Sequence, residues 1–82
     1  MGEPTQISFR HSELAEILVK KQGIHEGVWG IYVKFGLQAT NAGPTETELT
    51  PAALVGVMEI GIQKFDKESN LTVDAAKINP KQ

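Results

Sequence analysis

The stretch that decides the fold is VWGIYVKFGLQAT, residues 28–40 of the 82-residue chain. Its odd-numbered positions are all apolar, from Trp29 to Ala39, whereas its even-numbered positions are mostly polar or glycine. Alternation with a period of two is typical of a β-strand that buries one face. The sequence therefore predicts a long strand over residues 28–40, with its odd-numbered side chains in the core.

A second long run, residues 52–65, predicts another strand. From Ala52 to Met58 nearly every residue is apolar, which indicates burial on both faces. Farther along, Ile60 and Ile62 alternate with polar residues and glycine and are predicted to point inward. The two strands are expected to pair as a hairpin.

The connection between these strands is a polar segment. Asn41-Ala42-Gly43-Pro44 ends the first strand, because proline lacks a ladder donor and glycine permits unusual torsions. Residues 45–51 continue the loop, and Leu49 is its only large apolar residue. We expect the Leu49 side chain to pack against the body of the protein and so hold this loop in place.

A helix is predicted from about Ser12 to Gln22. Ser12 is the expected N-cap, and an apolar stripe follows at helical spacing. Gly23 is the expected left-handed stop of a Schellman end, in which Ile24 folds back on the helix. Before the helix, residues 5–9 form either a short strand or a lead-in segment.

The rest of the chain completes one small domain. Leu71, Val73 and Ala75 predict a short third strand. The fold class is therefore α+β: an N-terminal helix on an antiparallel sheet of three to four strands, two of them long and central. Residues 1–82 form the domain, with residues 1–6 and 79–82 expected to be loose.

The predicted strands are too long for a compact body of this size. A compact chain of 82 residues has a diameter of about 30 Å, whereas thirteen extended residues span about 43 Å. Three explanations are open: a second copy covers the overhang, the strand boundaries are too generous, or the strands bend at glycines. The candidate glycines are Gly30, Gly36, Gly56 and Gly61.

The expected interface lies on the sheet. A helix of about eleven residues is only about 16 Å long and covers part of one face. Val55 and Val57 are predicted to project from the face opposite the core, beside Gln38, and to be exposed unless another subunit covers them. Tyr32 is the third candidate interface residue, because it faces away from the apolar side of its strand.

These features favour an interaction module that associates with itself as a dimer, or with another protein. One alternative is a small-molecule binding domain with an apolar pocket between sheet and helix, lined by Leu54, Met58 and Ile60. The alternative given least weight is a small acid–base enzyme built on His25, Glu26 or Glu59.

No catalytic or metal-ligating motif is present. The possible ligands at residues 11–16 and 25–26 lack the spacing of a helical ligand pair, and solvent-facing charges near helix ends explain them. They are His11, Glu13, Glu16, His25 and Glu26. We therefore predict no cofactor, no metal and no enzymatic activity.

Composition excludes several other classes. The net charge is -2 and the eight Lys and Arg residues are scattered, which argues against nucleic-acid binding. The longest apolar stretch, residues 52–58, is too short to span a bilayer as a helix, so no membrane association is predicted. The chain has no cysteine. Together with the absence of a signal peptide, this favours a cytoplasmic location.

Overall fold

Two long antiparallel strands are the largest elements of the computed structural model, which describes residue 3 and residues 5–82. Part of the predicted loose start, Met1, Gly2 and Pro4, lies outside the described residues. The elements, in chain order, are helix α1 (His11–Lys21), strand β1 (Val28–Ala42), a 3-10 turn (Glu46–Glu48), strand β2 (Thr50–Phe65), strand β3 (Thr72–Asp74) and helix α2 (Ala75–Ile78).

The sheet has the strand order β2-β1-β3 and is antiparallel throughout. β1 pairs with β2 along its whole length, from Val28 opposite Phe65 to Ala42 opposite Thr50. β3 pairs only with the first three residues of β1. This confirms the α+β class and the two long central strands, which each extend two residues farther toward the loop than predicted.

The pairing of β1 with β2 contains one irregularity. Lys34 lies opposite Glu59, but the next residue, Phe35, lies opposite Val57, so Met58 is the extra residue of a β-bulge. The bulge therefore lies at a methionine and not at any of the four glycines that were candidate positions for a bend.

Helix α1 begins one residue earlier than predicted. Its N-cap is Arg10, not Ser12, and the Arg10 backbone N–H donates to the Glu13 carboxylate at 3.3 Å. The Glu13 side chain thus accepts the hydrogen bond of the free Arg10 N–H from within the first turn of the helix. Ser12 is therefore not needed as the N-cap. Residues 5–10 form no strand and lead into the helix, which is the second of the two alternatives.

The end of α1 is the predicted Schellman motif. Gly23 has φ +68°, its N–H donates to the Lys20 carbonyl at 3.1 Å, and the Ile24 N–H donates to the Val19 carbonyl at 3.1 Å. A left-handed residue at this position is what glycine allows without a steric penalty. The motif reverses the chain and directs it into β1.

The C-terminal segment contains a helix that the sequence pattern did not predict. The Asp74 carboxylate accepts a hydrogen bond from the Ala76 N–H at 3.0 Å, so β3 ends at Asp74 and α2 begins at Ala75. Asn79, in the segment expected to be loose, donates from Nδ2 to the Ile24 carbonyl at 2.8 Å and accepts from His25 Nδ1 at 2.8 Å.

The core is small and lies at one end of the hairpin. The buried apolar side chains are Ala15 and Val19 of α1 and Ala75 of α2. They pack against the first residues of β1, where Gly30 is also buried. We call this end the body, and we call residues 33–60, the projecting part of the hairpin, the arm.

The arm makes the molecule elongated. The radius of gyration is 18.9 Å and the longest dimension is 64 Å, whereas a compact chain of this length has a radius of gyration of about 12 Å. The overhang is therefore real, and the strand boundaries were not too generous. The prediction for Leu49 was wrong, because this residue lies at the tip of the arm and is 51% exposed.

Glycine substitutions test the close packing at the base of β1. A Cβ atom at Gly30 would lie 2.5 Å from the Leu71 carbonyl oxygen and 2.8 Å from the Phe65 ring, whereas one at Gly56 meets nothing within 4 Å. We expect Gly30→Ala to lower the free energy of unfolding by about 1–3 kcal/mol. The matched control Gly56→Ala should be neutral or stabilising by up to about 1 kcal/mol. Urea unfolding measures both, and equal effects would contradict this packing.

Candidate interaction surface

One face of the arm is almost entirely apolar. Side chains at directly opposed positions of an antiparallel pair share a face, so the register assigns this face directly. We call it the apolar face. It consists of four residues of β1 and their four partners on β2: Val33, Phe35, Leu37, Ala39, Ile60, Val57, Val55 and Ala53.

The apolar face is open to solvent. The odd-numbered side chains of β1 were predicted to lie in the core and residues 52–58 to be buried on both faces, and both predictions are wrong along the arm. Leu37 is 76% exposed, and Phe35, Val55, Val57 and Ile60 are each 57–58% exposed. Side by side they form a patch on the order of 600 Å², at the upper end of the roughly 300–600 Å² found for the largest patch of a typical monomer. Helix α1 covers the same side of the sheet only at the body.

Because of the bulge, the predicted interface residues Val55 and Val57 lie on the other face of the sheet from the one predicted. Val55 and Val57 were expected beside Gln38, on the face away from the core side. Because Met58 is extra, the register shifts by one residue, and Val55 and Val57 instead lie opposite Leu37 and Phe35. A one-residue shift transfers every side chain beyond it to the other face. The bulge thus unites the apolar residues of both strands.

The opposite face of the arm is mixed in character. Its register pairs are Lys34 with Glu59, Gly36 with Gly56, Gln38 with Leu54 and Thr40 with Ala52. Met58 covers Gly36, since a Cβ there would lie 3.1 Å from the Met58 sulfur. Tyr32 also points to this side, and its ring lies over Gly61, 2.7 Å from where a Cβ would be. A shallow groove of about 320 Å³ follows the two paired glycines.

The molecule exposes far more surface than a compact monomer of the same mass. Its accessible surface is 6898 Å², whereas a compact folded monomer of 8.9 kDa exposes about 4,800 Å². The excess, on the order of 2,000 Å², is comparable to the total area buried in a stable protein–protein interface. The arm contributes to this excess because most of its residues on both faces are exposed.

A second groove lies at the base of the arm. It has a volume of about 480 Å³ and is bounded by the C-terminal half of α1, the turn after it, and the strands. Its lining residues are Leu18, Gln22, Ile24, Trp29, Ile60, Gly61 and Ile62. We call it the base groove.

The base groove differs from the predicted ligand pocket. Of the three predicted lining residues only Ile60 contributes, because Leu54 and Met58 lie on the other side of the sheet, along the smaller groove. The indole N–H of Trp29 already donates to the Glu26 carbonyl at 2.9 Å. Gln22 alone offers a polar side chain, so polar groups do not converge as in a specific small-molecule site.

The titratable side chains occupy separate places. Glu13 accepts from the Arg10 backbone, Glu16 pairs with Lys20 at 3.0 Å, and Glu59 lies on the arm opposite Lys34. His11 and Glu26 are exposed. In the described part of the chain, no three His, Asp or Glu side chains come together as a metal site would require. The prediction that the chain is not an enzyme stays a prediction.

Comparisons with protein-family models, curated proteins and solved structures find no match for this chain. Among residue 3 and residues 5–82, no helix has the length and apolar character needed to cross a membrane. The candidate site therefore has to be interpreted from its own chemistry, and that chemistry is an uncovered apolar face on a projecting hairpin.

Paired cysteines test the register that the bulge imposes. The chain has no cysteine, so a Leu37→Cys/Val55→Cys variant should form an intrachain disulfide, because opposed positions in a hairpin lie within disulfide reach. The control Leu37→Cys/Leu54→Cys places its thiols on opposite faces and should stay reduced within the chain. Mass spectrometry after mild oxidation at low protein concentration measures both. A disulfide in the control and none in the first variant would refute the assigned faces.

Proposed function

We propose that this chain is an assembly module that forms a homodimer through the apolar face of its arm. The observation that carries the proposal is the continuous exposure of this face over both strands. Water contact with such an area is unfavourable, and a second apolar surface of matching shape removes it. A second copy of the chain always supplies such a surface.

The small core supports the same proposal. Only Ala15, Val19 and Ala75 are buried apolar residues in the described chain. An isolated two-stranded hairpin is marginally stable in water, and three strands with a covered hydrophobic face are the usual minimum. Packing two arms face to face would add the apolar faces of both copies to a common core, at the sheet separation of about 10 Å found in β-sandwiches.

The size of the face also fits a dimer. An exposed patch on the order of 600 Å² approaches the roughly 800 Å² that each partner contributes to a standard interface. Val55 and Val57 belong to the proposed interface, whereas Tyr32 lies outside it, because its ring covers Gly61 on the other face. A two-fold axis is the default symmetry for such a self-complementary surface.

Charge placed on the apolar face should separate the two copies. We expect the wild-type chain to sediment as a dimer at tens of micromolar, and Val57→Asp to weaken dimerisation at least about 100-fold, because each copy would bury an unpaired carboxylate. Analytical ultracentrifugation measures the dissociation constant, and circular dichroism checks that the strands persist.

Gln38→Asp is the matched control for this variant. It adds the same charge at a neighbouring level of the arm, but on the mixed face, where Gln38 lies opposite Leu54. It should change the dissociation constant by less than about threefold, as expected for a substitution outside the interface. A wild-type chain that stays monomeric at high micromolar concentration would refute the proposed function.

A further inference from the structure

We infer that the two arms of the dimer run antiparallel, so that the tip of each arm lies in the base groove of the other copy and Leu49 enters that groove. This arrangement depends on the proposed self-association and assigns its geometry. It identifies the occupant of the base groove as the hairpin loop of a second copy of this chain.

The chemistry of the groove matches the tip. Leu49 is the one large apolar side chain between Asn41 and Pro51, and it is 51% exposed at the tip of the arm. The base groove is lined mainly by apolar side chains, including Leu18, Ile24 and Ile60, and its volume of about 480 Å³ exceeds that of one leucine side chain. Burying an apolar side chain in an apolar pocket is favourable because it removes that side chain's surface from water.

The length of the arm allows both grooves to be filled at once. The groove lies at the level of Ile31 and Val33, which are the register partners of Ile62 and Ile60. Leu49 lies just beyond the last register pair, Ala42 with Thr50. About eleven strand residues separate the two levels, or about 36 Å. A two-fold axis midway, near Leu37, brings each tip to the other groove.

Side-chain sizes also favour this direction. Going from base to tip, the apolar face changes from large residues, Ile60 and Phe35, to small ones, Ala39 and Ala53. In an antiparallel pair the small residues of one copy lie over the larger residues of the other, so the two sheets keep a constant separation. Parallel arms would leave a gap at the tips.

Charge complementarity points the same way. Between Phe35 and Met58 the only charged side chains are Glu46 and Glu48, both at the tip. The last turn of α1, directly before Gln22 of the base groove, carries Lys20, which is paired with Glu16, and Lys21. Antiparallel arms bring each acidic tip toward Lys21 of the other copy and keep the two acidic tips apart. Parallel arms would bring four glutamates together.

Single-cysteine chains and a short bismaleimide cross-linker test the direction. Leu49→Cys mixed with Ile60→Cys should give a cross-linked heterodimer in high yield, because tip and groove meet. Val55→Cys should cross-link to itself near the axis, and Leu49→Cys alone should not, because the two tips lie at opposite ends. Leu49→Cys mixed with Leu71→Cys is the control and should give only background product, since Leu71 is a 52% exposed residue of the body outside the groove.

The outcomes separate this inference from the proposed function. A wild-type dimer in which Leu49→Cys cross-links efficiently to itself, or gives no product with Ile60→Cys, overturns the antiparallel arrangement and leaves self-association standing. A wild-type monomer at high micromolar concentration overturns both. As an independent readout, Glu46→Lys/Glu48→Lys and Lys21→Glu should each weaken dimerisation, and their mixture should restore it at least tenfold relative to either variant alone. Mixing without any recovery would also count against the antiparallel pair.

Discussion

The antiparallel pairing of β1 with β2 is the interaction on which the rest of the structure depends. It continues for the whole of the 15-residue β1, well past the point where the helices and β3 stop. The pairing satisfies the backbone groups that point between the two strands, and water satisfies those on the outer edges of the arm, but neither covers the side chains. The hairpin therefore carries its apolar residues out into solvent, and this exposed face is the chemical feature that the molecule offers.

The body holds the base of the hairpin through a few short-range devices. The Schellman end of α1 turns the chain toward β1, and Gly27, at φ +96°, allows the second change of direction. The Gly27 carbonyl accepts from the Ala75 N–H at 2.9 Å, and Asn79 bonds to both Ile24 and His25. These bonds tie the C-terminal segment to the turn between α1 and β1. They position the arm without covering it.

The bulge at Met58 determines what the arm presents. Without an extra residue, the apolar residues of the two halves of β2 would alternate onto different faces, and each face would be a mixture. With it, Ile60 and Ile62 on one side of the bulge and Val57 and Val55 on the other share a face with the odd-numbered residues of β1. The result is one continuous apolar surface from body to tip, backed by a surface with glycines, Lys34 and Glu59. This division gives the proposed dimer one face to bury and one to leave in water.

The sequence by itself determined the elements that depend on neighbouring residues. The alternation over residues 28–40 predicted β1, and Gly23 with Ile24 predicted the end of α1, because a strand period and a left-handed cap are local properties. That the strands are longer than a compact body of this size followed from comparing their extended length with the diameter expected for the chain. The candidate surface was half predicted: Val55 and Val57 were identified as exposed, but on the wrong face. Only the tertiary structure decided the bulge, the start of α2 at Ala75 and the position of Leu49. A bulge depends on pairing with a distant strand, and a loop residue packs on the body only if the hairpin folds back. Here the strands run on, so the loop that the sequence placed against its own body lies at the far end of the arm.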